Sequence, residues 1–154
     1  MSDAAVRRAT SADLDALLAL TRAFGIEEGR RYDETHVAGA LEPLLRDDTH
    51  GQVWLLAGPV GDDGPLGYAV LSWGWGVESG GREGLVDEIF VAEGSRGRGL
   101  GGVLLSAVLE AARAAGCRTL FLETERPNEA ARRLYRRHGL VDEDSIWMRA
   151  ELSE

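Results

Sequence analysis

A chain of 154 residues with 44% apolar content holds material for one core, so a single domain over 1–154 is the natural expectation. One cysteine excludes an internal disulfide and a multi-cysteine metal site, and the three histidines (His36, His50 and His138) show no ligand spacing, so no metal is expected. A net charge of −9 argues against a nucleic-acid partner, and charges interrupt every apolar run, so neither a membrane span nor a signal peptide is expected and the cytoplasm is the default.

In chain order, "AVRRAT" reads as a short strand. "TSADLDALLALTRAFG" reads as a helix capped by Thr10 or Ser11. A second helical patch, "THVAGALEPLLRD", contains Pro43, which is expected to break or kink it. "QVWLLAG", "LGYAVLSWGWGV" and "LVDEIFV" are three strands, separated by the turns "PVGDDGP" and "ESGGREG". Their close succession predicts an antiparallel meander. The pattern then changes. "GLGGVLLSAVLEAARAAG" places Leu100, Val103, Leu104, Ala107, Val108 and Ala111 on one helical face, and Gly116 stops it. "CRTLFLET" is a strand. "NEAARRLYRRHG" is a helix with Asn128 as cap and Gly139 as stop. "LVDEDSIWMRAEL" predicts one or two closing strands. A strand, helix and strand in series imply a parallel crossover. The whole predicts an α/β (α+β) fold, a mixed central sheet of six to seven strands with helices on both faces.

The stretch "EGSRGRGLGG" joins the third strand of the meander to the next helix. Gly97, Gly99 and Gly102 spell GxGxxG, and Glu123 lies where a ribose-binding acid would fall, so a dinucleotide site has support. Three features oppose it. "AEGSR" separates the strand from Gly97. "LVDEIFV" carries two adjacent acids, unlike a strand buried on both faces. The remaining chain is too short for the rest of a dinucleotide-binding sheet. The alternative reading is R-x-x-G-x-G from Arg96 to Gly101, where side-chain-free backbone and a helix N-terminus approach a diphosphate. Arg96 and Arg98 add charge-assisted donors. The charge distribution agrees. Seven arginines face seventeen acids before Arg96, and ten face nine from Arg96 onward. All the basic residues are arginine, so a lysine nucleophile is excluded.

"VDEIFVAEGSRGRGLGGVLL" followed by "LFLETERPNEAARRLYRRHGL" resembles the GNAT N-acetyltransferase superfamily over about residues 66–140. The resemblance implies an acyltransferase that carries acetyl from acetyl-CoA, its co-substrate, to a primary amine in a ternary complex. On that pattern the backbones of Phe90, Val91 and Ala92 meet the pantetheine. The stretch Arg96, Gly97, Arg98, Gly99, Leu100, Gly101 and Gly102 takes the diphosphate. Asn128 matches a position that touches the cofactor, and is equally well explained as a helix cap. Tyr135 matches the acid that protonates the departing thiolate. The base stays open among Glu88, Glu123 and Asp87, in that order, or a water chain as in many relatives; Asp87 and Glu88 both lie beside the cofactor groove and alternate in direction, so only one of them can face the site. Glu123 also resembles the base proposed in ribosomal-protein N-terminal acetyltransferases. The acid-rich first half suggests an acceptor that is cationic before deprotonation: a small amine, an aminoglycoside or a peptide N-terminus. Trp54, Trp73 and Trp75 are core residues or an aromatic acceptor wall, and Cys117 is a buried small hydrophobe. A non-catalytic CoA-binding module of the same fold is the competing reading, and a homodimer stays open.

Overall fold

The computed structural model describes residues 4–59 and 64–153. Strand β1 (Ala5–Arg8) passes through a 3-10 turn into helix α1 (Leu14–Glu27), followed by α2 (Glu34–Arg46). Strands β2 (Gly51–Ala57), β3 (Pro65–Gly76) and β4 (Gly81–Val91) form the antiparallel meander. Helix α3 (Leu100–Ala114) then crosses to β5 (Thr119–Leu122), which pairs parallel with β4, and α4 (Glu129–Arg137) comes next. The sheet order is β1-β2-β3-β4-β5.

Each face of the sheet carries its own core. Val53, Leu55, Tyr68, Val70 and Phe90 pack against Leu17, Leu20 and Leu41 of α1 and α2. Leu56, Ala69, Leu71 and Val86 pack against Leu100, Leu104, Val108 and Ala111 of α3. Full burial of such a side chain contributes roughly 1.5–3 kcal/mol. The expected α3 stripe is largely right, but Val103 is exposed and Leu105 and Ala112 are buried in its place. The stripe therefore sits one residue further round the helix.

Three expectations need correction. Helix α2 runs through Pro43 to Arg46. Pro43 lies within the last turn, where the Asp47 amide still reaches its carbonyl, so the ring is accommodated at the end of the helix rather than breaking it. The "ESGGREG" turn is shorter than expected, because β4 begins at Gly81. Among the described residues the sheet has five strands, not six or seven. Residues 140–153 carry no regular structure: their apolar pattern suits a strand, but no neighbouring strand pairs with them. The "PVGDDGP" turn falls mostly outside the described residues.

One irregularity in β4 redirects the end of the strand. Val70 pairs with Glu88 while Leu71 pairs with Val86, so Asp87 is an extra, unpaired residue. Such a bulge shifts the alternation of side chains between faces. Val86, Ile89 and Val91 face α3, whereas Phe90 joins the α1/α2 core. Glu88 shares the α1/α2 side with Phe90, and its carboxylate meets Tyr68 of that core.

Candidate active site

The β4–β5 ladder ends at Val86 and Leu122, one residue before the bulge. β5 ends there, and among the described residues no strand pairs with the β5-facing edge of residues 87–91. The Ala92 amide donates to the Leu66 carbonyl on β3. Antiparallel alternation therefore turns the main chain of Phe90 toward β3 as well, and that of Ile89 and Val91 toward the open side. Of the residues expected to meet pantetheine, Val91 has the suitable main-chain direction, and Ile89 joins it.

Past β4 the chain makes a 3-10 turn at Glu93–Ser95 and enters the glycine loop. Gly97 and Gly99 have φ of +79° and +73°, the left-handed region that favours glycine. Leu100, buried on the α3 core, anchors the first turn of the helix. The amides from Gly97 to Gly102 have no backbone acceptor, and an added Cβ at Gly97 or Gly99 would meet open space. A run of unsatisfied N–H groups at a helix N-terminus, with room in front, is a site for an anion. Gly101 and Gly102 have another reason to lack side chains. A Cβ there would lie 3.2 Å from Leu134 and 3.3 Å from His138, so they let α4 pack close to α3.

The two arginines of the loop differ. Arg98 is exposed and makes no ion pair among the described residues. Arg96 is held: Nη2 donates to Glu27 on α1 at 2.6 Å, Nε donates to the Val91 carbonyl at 2.9 Å, and its guanidinium lies 5.4 Å from the Phe90 ring centre. Its main chain faces the loop while its charge ties the loop to α1.

The candidate bases are equally distinct. Asp87, at the bulge, is exposed, and so is Glu123 just past β5. Glu88 is half-buried and accepts a 2.7 Å hydrogen bond from the Tyr68 hydroxyl, with Arg30 Nη1 3.7 Å from its other oxygen. Burial and the Glu88 carboxylate push the Tyr68 hydroxyl far above the usual tyrosine range, so it stays a donor. Phe24 stacks on Phe90 at 5.1 Å, and Arg30 covers Phe24. This group of Phe24, Arg30 and Tyr68 was missed in the sequence. Its one signal is the cross-strand pair Tyr68–Phe90, visible only once the register is known.

Tyr135 is half-buried on α4, and burial raises its hydroxyl above the ordinary value. It lines a cavity together with Glu123 and His138. Asn128 caps α4, accepting from the Ala131 amide at 3.3 Å, and its amide nitrogen is left free of protein partners. The tryptophans form no wall beside Glu88. Trp54 and Trp73 pack on the α3 face, under Arg8 and Arg82 respectively, and Trp75 is 78% exposed at the far end of β3. Cys117 is partly buried against the α3 core. No cluster of metal-binding side chains occurs among the described residues, and no helix there is long and apolar enough to cross a membrane.

An interrupted parallel pair, a glycine loop with free amides at the start of the intervening helix, and a half-buried tyrosine on the next helix are the arrangement that the acyltransferase resemblance implies. The chain belongs to the acetyltransferase (GNAT) family, whose model matches residues 14–140. Among solved structures, an integron cassette protein from the mobile metagenome of Cole Harbour Salt Marsh is 30% identical, with a TM-score of 0.84 over 97% of this chain and 91% of that one. A candidate acetyltransferase from Arthrobacter sp. FB24 is 29% identical, with a TM-score of 0.80 over 96% of each chain. An aminoglycoside acetyltransferase from an uncultured soil metagenomic sample, in complex with sisomicin, shares the fold at 15% identity, with a TM-score of 0.76 and 97% of each chain covered. No curated protein matches the chain.

Proposed function

We propose that this enzyme transfers acetyl from acetyl-CoA to a primary amine by direct attack in a ternary complex. The observation that carries the reading is the juxtaposition of unsatisfied amides at Gly97–Gly102 with the open edge of β4. Together they match a diphosphate followed by an extended amide-bearing arm. The amides of the loop and Arg98 hold the diphosphate, and the Ile89 main chain and the Val91 amide hold the arm, the Val91 carbonyl being taken by Arg96. The bound thioester supplies the activated acetyl group.

The chain's own residues manage the protons. An alkyl ammonium with pKa near ~10.4 has no free lone pair until it loses a proton. Glu88 takes that proton, directly or through one water, from the α1/α2 side of the sheet. The Tyr68 hydroxyl fixes the orientation of its carboxylate. Tyr135 donates to the departing sulfur from the α4 side, and its raised pKa keeps the donor protonated at neutral pH. Base and acid thus approach from different elements, as a displacement through one centre requires.

The acceptor enters beside Glu88, Phe24 and Phe90. Its cationic amine replaces Arg30, whose contact with Glu88 is long at 3.7 Å and therefore loosely held. The Phe24 ring, which Arg30 covers, takes the apolar part or the charge of the acceptor, with the buried Phe90 stacked behind it. Such a pocket suits a compact polycationic molecule, and the aminoglycoside enzyme of shared fold shows the scaffold serving one. The test is release of coenzyme A thiol from acetyl-CoA across a panel of aminoglycosides, small amines and peptide N-termini. Acceleration by amines supports the proposal. Tight acetyl-CoA binding with no acceleration by any amine would leave a CoA-binding module instead.

A further inference from the structure

Among the described residues Arg30 is the one cation paired with Glu88, and it stands where an amine has to settle. Glu88 Oε1 accepts from the Tyr68 hydroxyl at 2.7 Å, and Arg30 Nη1 faces Oε2 at 3.7 Å. The same guanidinium lies 5.0 Å from the centre of the Phe24 ring. A carboxylate oxygen beside an aromatic face is a seat for any organic cation. The protein fills that seat with a cation of its own.

The main chain that carries Arg30 is fixed. Helix α1 is capped at Glu28, and Gly29 follows at φ +66°, in the left-handed region. The Gly29 amide then donates to Ile26 at 3.1 Å and the Arg30 amide to Gly25 at 2.9 Å, the paired bonds of a glycine helix stop. Such a stop packs its next residue back on the helix, which brings Arg30 over Phe24. Two residues on, the Tyr32 hydroxyl meets the Leu18 carbonyl and Thr21 Oγ1, both at 3.0 Å. The chain on either side of Arg30 is thus tied to α1. The side chain is not tied. It is 53% exposed, and 3.7 Å is an ion pair without a hydrogen bond. Arg30 can leave Glu88 by side-chain rotation alone.

We propose that Arg30 determines which acceptor reaches the base: seated, it excludes water, and it yields only to another cation. This role rests on the amine transfer proposed above. Seated, Arg30 fills the place beside Oε2 from which a water would donate to Glu88. With that place empty, water becomes an acceptor. Its oxygen bonds to the thioester carbon as the carbon–sulfur bond breaks, one water proton passes to Glu88, and the Tyr135 proton passes to the sulfur. The products are acetic acid and the free thiol, and Glu88 returns its proton to Tyr135 through solvent. A neutral molecule does not displace Arg30, because it offers the carboxylate no charge in exchange. An alkyl amine arrives as its ammonium, takes over both contacts, and then gives its proton to Glu88. The substrate class is therefore an amine that is protonated in solution. A second cationic group on the acceptor helps further, since it repels the guanidinium while the first group takes the seat.

Arg30→Met keeps a long stem on Phe24 and removes the charge. Without any amine, its release of thiol from acetyl-CoA is expected to rise about tenfold over the native enzyme, a gain that a misfolded chain cannot produce. Its KM for an alkyl amine is expected to fall about fivefold, with kcat moving less than KM. Arg30→Lys keeps a cation and is expected to hold hydrolysis within about twofold of the native rate. Methylguanidinium at millimolar concentration, added to Arg30→Ala, should refill the seat and lower hydrolysis toward that rate. Adding Glu88→Gln to Arg30→Met should abolish the gain. Native hydrolysis and native amine KM in Arg30→Met overturn this inference and leave the amine reading standing. So does a gain that persists beside Glu88→Gln, since Arg30 then blocks water without acting through the base. A native enzyme that no amine accelerates overturns the inference together with the reading it rests on.

Discussion

Strand β4 is bordered by two very different neighbours. With β3 it pairs at ten positions, from Gly81 to Val91; with β5 it pairs at four and stops at Val86. The full ladder satisfies the main chain and builds the core, whereas the shortened one leaves main-chain groups free where the glycine loop begins. The bulge at Asp87 sits at this boundary, and it sends Glu88 to the face opposite the α3 core. Pairing is concentrated on one edge of the strand and free main chain on the other.

The largest expected effect breaks the open edge at its loop. Gly99→Val forces a β-branched residue into φ of +73°, and acetyl-CoA affinity is expected to fall about a hundredfold or more by calorimetry. Undiminished affinity would remove the loop from the site. Next, Tyr135→Phe is expected to lower kcat about a hundredfold while the acetyl-CoA Kd stays within about twofold. The sign of the pH effect comes from the raised Tyr135 pKa. The protonated donor persists through neutral pH and is lost only above the ordinary tyrosine value near ~10, so kcat in the native enzyme should show no fall from this group below that pH. A smaller loss, about tenfold in kcat/KM, is expected for Tyr68→Phe, which keeps the ring packing and removes the donor to Glu88. If Glu88→Gln alone abolishes the difference between Tyr68 and Phe at this position, the two act as one unit.

The smallest effect lies far from either edge of β4 and serves as the control. Arg7 holds Asp13 at about pKa 2, below its ordinary 3.8, and Asp13 in turn accepts from the Thr10 amide before α1. A depressed carboxylate stabilises the fold above its unfolded pKa, and that contribution is lost as pH falls through about 2. Arg7→Ala should therefore cost about 1 kcal/mol at neutral pH and make less difference as the pH drops below 4. Chemical denaturation across that range measures it, and acetyl-CoA affinity should not change.

Much of this was legible in the residues. Helix caps such as Asn128, stops such as Gly116 and Gly139, and the glycine-rich bend before α3 are local signals, and local signals survive folding. The bulge was not legible: one extra residue in a strand leaves no mark on an apolar pattern, and only the register of β3 reveals that Asp87 is unpaired. Glu88 was legible as a candidate, but the hold of Tyr68 on it was not, since their contact joins residues twenty apart across two strands. The closing stretch has the alternation of a strand, yet within one molecule it joins no sheet. A pattern states what a segment is able to bury, not where its partner lies.

The Arg96 side chain ties two functions to one lever. Its contacts with Glu27, the Phe90 ring and the Val91 carbonyl join the glycine loop to the last residue of α1 and to the end of β4. On the proposed function, loading the loop would shift the wall against which the amine settles, and an amine settled there would grip the loop in return. Reciprocity of this kind fixes a measurable equality: whatever factor the nucleotide-bearing substrate adds to amine affinity, the amine adds to it.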